Sequence, residues 1–149
     1  AVAHPMPRRA TGFTLLELLV VVTIVAIASA GVAFSLRDAS QTRLDQEAQR
    51  LAALLEAGRA QSRASGVPLR WRSTPQGFAF DGLPAGAAPL PTQWQHPETQ
   101  AHSSAPVVLG PEPLIGAQQV RLWLQDTPTR SLWVATDGVR PFAVQNTAP

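Results

Sequence analysis

The order of apolar and polar residues divides the chain into a continuous apolar run, an amphipathic stretch and a series of short alternating segments. Residues 18–36 contain no charged side chain, and their apolar residues would cover all sides of a helix rather than one stripe. At about 1.5 Å per residue such a helix is about 28 Å long, close to the roughly 30 Å hydrocarbon core of a bilayer. The pattern predicts a transmembrane helix segment over residues 13–36.

The charges before this run predict its orientation. Arg8 and Arg9 precede it without an accompanying acid, so the positive-inside rule keeps the N-terminus in the cytoplasm. In a Gram-negative cell the protein would then be a single-pass inner-membrane protein with its C-terminal domain in the periplasm.

The helical pattern continues over residues 37–64, which contain no Pro. Apolar or small residues recur there at spacings of three and four; they are Leu44, Ala48, Leu51, Leu55 and Gly58. One helix from Phe13 to about Ala64 is expected, and its second half, an amphipathic periplasmic segment, needs a sheet to cover the stripe. The charged residues lie mostly off the stripe and are interpreted as a solvated face; they are Arg43, Asp45, Glu47, Arg50, Glu56 and Arg63.

Residues 65–149 have the pattern of a periplasmic antiparallel β domain. Val67, Leu69 and Trp71 alternate with polar residues, and residues 78–80, 120–124 and 132–136 repeat the period of two. The Asp137-Gly138 pair predicts a hairpin turn leading into residues 140–144, with Asp137 as a turn residue. The tryptophans of these strands, Trp71, Trp123 and Trp133, are interpreted as sheet packing. The fold class is therefore α+β, a long N-terminal helix packed on antiparallel sheet.

Residues 82–117 interrupt the strand pattern and contain half of the 14 prolines. Such a long loop is uncommon in a compact domain unless it is functional or disordered. Residues 107–109 and 114–115 are apolar enough to form short edge strands within it. Trp94 either anchors a partner or, as we favour, packs back onto the sheet.

Composition and charge remove several function classes. The 149 residues suffice for one domain, with a net charge of +2 and a sequence pI of about 11. The high pI follows from the absence of Lys, Tyr and Cys rather than from a basic stripe, so no nucleic-acid partner is expected. The absence of Cys excludes disulfides, thiolate metal sites and Cys nucleophiles.

The sequence contains no recognisable catalytic constellation. His96, Glu98 and His102 superficially resemble a metal cluster, but Pro97 prevents the regular helical spacing that would direct both imidazoles at one ion. There is no nucleophile elbow, phosphate-binding loop or dinucleotide fingerprint. We therefore expect no catalytic residue, no cofactor, no metal ion and no enzymatic activity.

Glu17 stands immediately before the 19 uncharged positions, where a carboxylate is costly to insert. Either it has a functional partner or it lies at the lipid headgroup level, and both interpretations remain open on physical grounds. A different class of protein is also possible, because Ala28-Ser29-Ala30 fits a signal-peptidase site. Cleavage after Ala30 would release a secreted binding domain or hydrolase.

Residues 8–17, Arg8-Arg9-Ala10-Thr11-Gly12-Phe13-Thr14-Leu15-Leu16-Glu17, followed by the apolar run, resemble the type IV prepilin signature. The resemblance implies that residues 1–12 are a leader, that prepilin peptidase cleaves between Gly12 and Phe13, and that Phe13 is then N-methylated. It also implies that Glu17 pairs with the N-terminal amine of a neighbouring subunit. Such a pair would set register more than it would add net stability.

Three further segments are similar to the H-type minor pseudopilins of type II secretion, the GspH/FimT-like family; they are residues 50–62, 66–69 and 135–142. The resemblance implies a pilin-like fold and a structural role near the tip of a periplasmic pseudopilus that helps export folded proteins. Implied partners are other minor and major pseudopilins, prepilin peptidase, the inner membrane and secreted exoproteins. A FimT-like minor pilin of a type IV pilus, acting in adhesion or motility, is the alternative.

Overall fold

A single long helix, α1, dominates the N-terminal part of the computed structural model, which describes residue 1 and residues 12–149. α1 spans Leu15–Ser65. It begins two residues later than expected because Thr14 is its N-cap, and the Thr14 hydroxyl accepts a 3.2 Å hydrogen bond from the Glu17 amide. It ends close to the expected position, where the Gly66 amide donates to the Ser62 carbonyl.

The chain divides into two compact units, Ala1–Asp38 and Ala39–Pro149. In the first unit, the apolar residues of α1 are exposed, and the helix is long and apolar enough to cross a membrane. The expected leader, residues 1–12, lies outside the described residues except for Ala1 and Gly12.

The second unit contains the C-terminal part of α1 and seven strands in two antiparallel sheets. The strands are β1 (Leu69–Thr74), β2 (Gly77–Asp81), β3 (Thr99–His102), β4 (Val107–Gly110), β5 (Gln118–Leu124), β6 (Thr127–Thr136) and β7 (Ala143–Gln145). One sheet has the order β2-β1-β4 and the other β3-β5-β6-β7. The α+β class is as predicted, and the arrangement is the type IV pilin-like one of a long N-terminal helix packed against antiparallel sheets.

The core forms between the apolar stripe of α1 and the inner faces of both sheets. Leu44, Leu51 and Leu55 are buried, as the spacing predicted. Gly58 lets the helix approach the first sheet closely, because a Cβ there would lie 2.8 Å from Leu109 Cδ1. Trp71 is fully buried within this core, as expected.

The proline-rich region departs from the expected loop. Residues 107–110 form the edge strand β4, but residues 114–115 form no strand, and β3 occupies residues 99–102. β3 was not predicted because its sequence, Thr-Gln-Ala-His, has little apolar alternation. Pairing with the strongly patterned β5 places it in the sheet. Trp94 packs back on the core, 4.7 Å from Phe78 between ring centroids.

The structure refines the position of two tryptophans and corrects one predicted turn. Trp123 and Trp133 lie on the outer face of the second sheet and are only partly buried, since Val120, Leu122 and Val134 fill the core positions. Arg121 instead stacks over the Trp123 ring at 5.2 Å. Asp137 is a turn residue, but the β6–β7 connection is a six-residue loop rather than a two-residue hairpin.

Candidate assembly surface

The residues predicted for leader cleavage, N-methylation and subunit pairing are all exposed. Gly12 and Phe13 precede the helix, and Glu17 lies in its first turn. Among residues 12–149 no hydrogen bond or ion pair engages the Glu17 carboxylate, whereas the Glu17 amide is capped by Thr14. Thr14-Leu15-Leu16-Glu17 has the spacing of a capping box, so this carboxylate also favours the positive end of the helix dipole.

Two hydroxyl groups within the apolar run are satisfied inside the helix. Thr23 donates to the Leu19 carbonyl and Ser29 to the Val25 carbonyl, each at 2.7 Å. Both therefore present no unpaired donor to an apolar environment. The run is suited to lipid or to packing against other apolar helices.

Of the six charged residues of α1 that were predicted to form a solvated face, only Arg63 is exposed. Glu47 is fully buried and accepts a 2.8 Å hydrogen bond from the His96 amide. On the preceding turn Arg43 pairs with Glu98 at 2.8 Å, and on the following turn Arg50 donates to the Gln93 carbonyl at 3.0 Å. These three helix residues hold residues 93–98 against α1.

A second group of polar residues binds the C-terminal loops. Arg59 is only 3% exposed and donates to the Pro113 carbonyl at 3.3 Å. Glu56 accepts a 2.8 Å hydrogen bond from the Phe142 amide. The irregular segments need such partners because they have backbone groups outside the sheet ladders. A sequence signal existed for the first group of polar residues, since Arg43, Glu47 and Arg50 recur with the same helical spacing as the apolar stripe.

The face of α1 that points away from the sheets carries no charge over about five turns, from Thr42 to Ala60, and the exposed Arg63 lies beyond it. Its exposed residues follow the helical repeat; they are Thr42, Gln46, Gln49, Ala53, Ala57 and Ala60. An exposed helix face is usually rich in charges, which keep it solvated. We call this set the uncharged helix face; its alanines would let another helix approach closely.

The residues examined for chemistry have structural roles. The Glu98 pKa is lowered by its own backbone amide and by Arg43, and the Asp137 pKa is lowered by the Arg140 and Val139 amides that its carboxylate caps. His96 binds Glu47 through its backbone, and His102 is exposed on β3. Residues 12–149 contain no cluster of three or more potential metal-ligating side chains.

The surface also contains a cavity of about 430 Å³ lined by uncharged side chains, including Ser104, Gln118, Gln119 and Thr136. The Gln118 amide group next to it bridges both the amide and the carbonyl of Val108. This side chain thereby covers the free edge of β4 in the way that a neighbouring strand would.

Comparison with protein families identifies a prokaryotic N-terminal methylation motif at residues 7–33. No curated protein and no solved structure matches the chain. The motif implies processing by prepilin peptidase and assembly with other pilin-like subunits. With a membrane-compatible helix packed on antiparallel sheets, these findings indicate a type IV pilin-like protein.

Proposed function

We propose that this protein is a minor pseudopilin of a type II secretion system, a structural subunit near the tip of a periplasmic pseudopilus. The observation that carries the structural role is the uncharged helix face, because a face of this composition is suited to helix packing and unsuited to permanent solvation. The similarity of residues 50–62, 66–69 and 135–142 to H-type pseudopilins supports the choice of system.

Under this proposal, the membrane stores the subunit before assembly. Prepilin peptidase cleaves between Gly12 and Phe13, and Phe13 is N-methylated. The apolar helix then exchanges lipid for the helices of neighbouring subunits. Glu17 pairs with the N-terminal amine of a neighbour and sets the axial register, because leaving one buried charge unpaired would cost about 3–5 kcal/mol.

A FimT-like minor pilin of a type IV pilus is the second candidate, and the same motif favours it equally. Deletion of the gene separates the two: loss of exoprotein secretion supports the pseudopilin, and loss of twitching motility or adhesion supports the pilin. Release of a soluble domain after Ala30 is tested by intact mass. A methylated chain starting at Phe13 supports assembly, and a chain starting at Gly31 contradicts it.

Two substitutions test the assembly mechanism in cells. Glu17→Ala should leave membrane insertion and leader cleavage intact while reducing incorporation into the fibre, and Ala57→Arg should reduce incorporation by placing a charge on the uncharged helix face. Gln119→Arg is the matched control, because Gln119 is exposed on the outer side of the second sheet. Normal co-assembly of both test variants would refute the mechanism.

A further inference from the structure

Two neighbouring loops of the second unit present exposed aliphatic side chains. Leu114 is 68% exposed in the β4–β5 connection, and Val139 is 72% exposed in the β6–β7 connection. Between these residues the loops touch through their backbones, since a Cβ on Gly138 would overlap the Ile115 carbonyl oxygen. We call the exposed pair the Leu114/Val139 patch.

The patch is held on fixed loops. Thr136 Oγ1 accepts from the Gly138 amide at 3.0 Å and donates to the Arg140 carbonyl at 2.6 Å. Asp137 caps the amides of Val139 and Arg140, at 2.9 and 2.8 Å. Because the loop conformation is fixed before binding, little further backbone entropy is lost when a partner covers Val139.

One of the two helix residues that fix these loops, Glu56, also lies beside the uncharged helix face. Arg59 binds the loop of Leu114 through the Pro113 carbonyl, and Glu56 binds the loop of Val139 through the Phe142 amide. Glu56 is three residues after Ala53 and four before Ala60, so the three are neighbours on the helix surface. The β6–β7 loop, which carries Val139, therefore adjoins the uncharged helix face.

We infer that the Leu114/Val139 patch is a contact site for the globular domain of an adjacent pilin-like subunit in the fibre. The inference rests on the proposed function, since assembly with such subunits supplies the occupant, and continuity with the uncharged helix face locates it. Exposed Asp137 and Arg140 border the patch with opposite charges. The partner surface should thus have an aliphatic centre and a polar rim.

Cysteine cross-linking in cells is a direct test, because these 149 residues contain no Cys. Leu114→Cys and Val139→Cys, in cells treated with a short bismaleimide, should each give a cross-linked product with a pilin-like subunit that carries one introduced surface Cys. Gln119→Cys is the control and should give no such product. The inference is overturned if all three positions cross-link equally. It is also overturned if neither Leu114→Cys nor Val139→Cys cross-links to any position in a scan of the partner surface.

Charge insertion gives an independent readout. Leu114→Asp and Val139→Asp each keep an exposed side chain, so stable accumulation and normal leader cleavage are expected. Their incorporation into the fibre should fall about tenfold, because an uncompensated charge would enter the aliphatic centre of the contact. Normal incorporation of both variants refutes the contact. Ala57→Arg and Glu17→Ala are measured in the same incorporation assay. If Ala57→Arg reduces incorporation while the two Asp variants assemble normally, the proposed function survives and only this contact is refuted. If Ala57→Arg and Glu17→Ala also assemble normally, the proposed function itself has failed.

Discussion

Removal of the buried carboxylate of Glu47 should destabilise the second unit more than removal of any neighbouring helix side chain that faces solvent. Glu47 has no exposed surface, and its Oε1 atom accepts the His96 amide hydrogen bond at 2.8 Å. In Glu47→Ala, the His96 amide loses a charged acceptor, which corresponds to about 1.5–3 kcal/mol. With the loss of buried methylene packing, we expect a total of about 2–4 kcal/mol.

Urea unfolding of the full-length protein in phosphatidylcholine nanodiscs measures this change. All four tryptophans lie in residues 71–133, so their fluorescence reports on the second unit alone. Amide hydrogen exchange at His96 should accelerate in Glu47→Ala, since that amide loses its acceptor.

Two controls show whether the hydrogen bond is responsible. Glu47→Gln keeps an acceptor for His96 and should lose about half as much stability as Glu47→Ala. Gln49→Ala changes an exposed position on the same helix and should stay within about 0.5 kcal/mol of the wild type. A Glu47→Ala protein as stable as Gln49→Ala, with unchanged exchange at His96, would refute the reasoning.

Two further predictions concern the loops. Gly138→Ala should lower the free energy of unfolding by at least about 2 kcal/mol, because Gly138 has a φ of 96° and a Cβ there would overlap Ile115. Urea unfolding measures this change. The control is Gly116→Ala, where an added Cβ meets nothing within 4 Å. The Arg43–Glu98 pair should stabilise the protein above the ordinary glutamate pKa of 4.5, and this contribution should disappear as pH falls through the lowered pKa of Glu98. The stability difference between wild type and Glu98→Gln should accordingly shrink as the pH is lowered from about 7 to about 3. A difference that does not depend on pH would contradict a contribution from the ionised Glu98 side chain.

The amino-acid sequence by itself determined the long helix, the α+β class and the identity of the inward-facing residues. Periodicity carries this information because a helix repeats every 3.6 residues and a strand every two, so Leu51, Leu55 and Leu122 could be assigned to the core without coordinates. The N-terminal signature was equally local: charge, Gly, Phe and Glu stand in one continuous segment, and the family comparison matches that same region.

Only the tertiary structure decided which polar residues remain in solvent. Glu47 and Arg59 look like surface residues in the sequence, but their partners, His96 and Pro113, are 49 and 54 residues away along the chain. Helical spacing can mark such a position, but it does not identify the partner, because the partner depends on where irregular segments return to the helix. The same contacts hold Arg43, Glu47 and Arg50 at the flank of α1, so that the exposed face from Thr42 to Ala60 carries no charge.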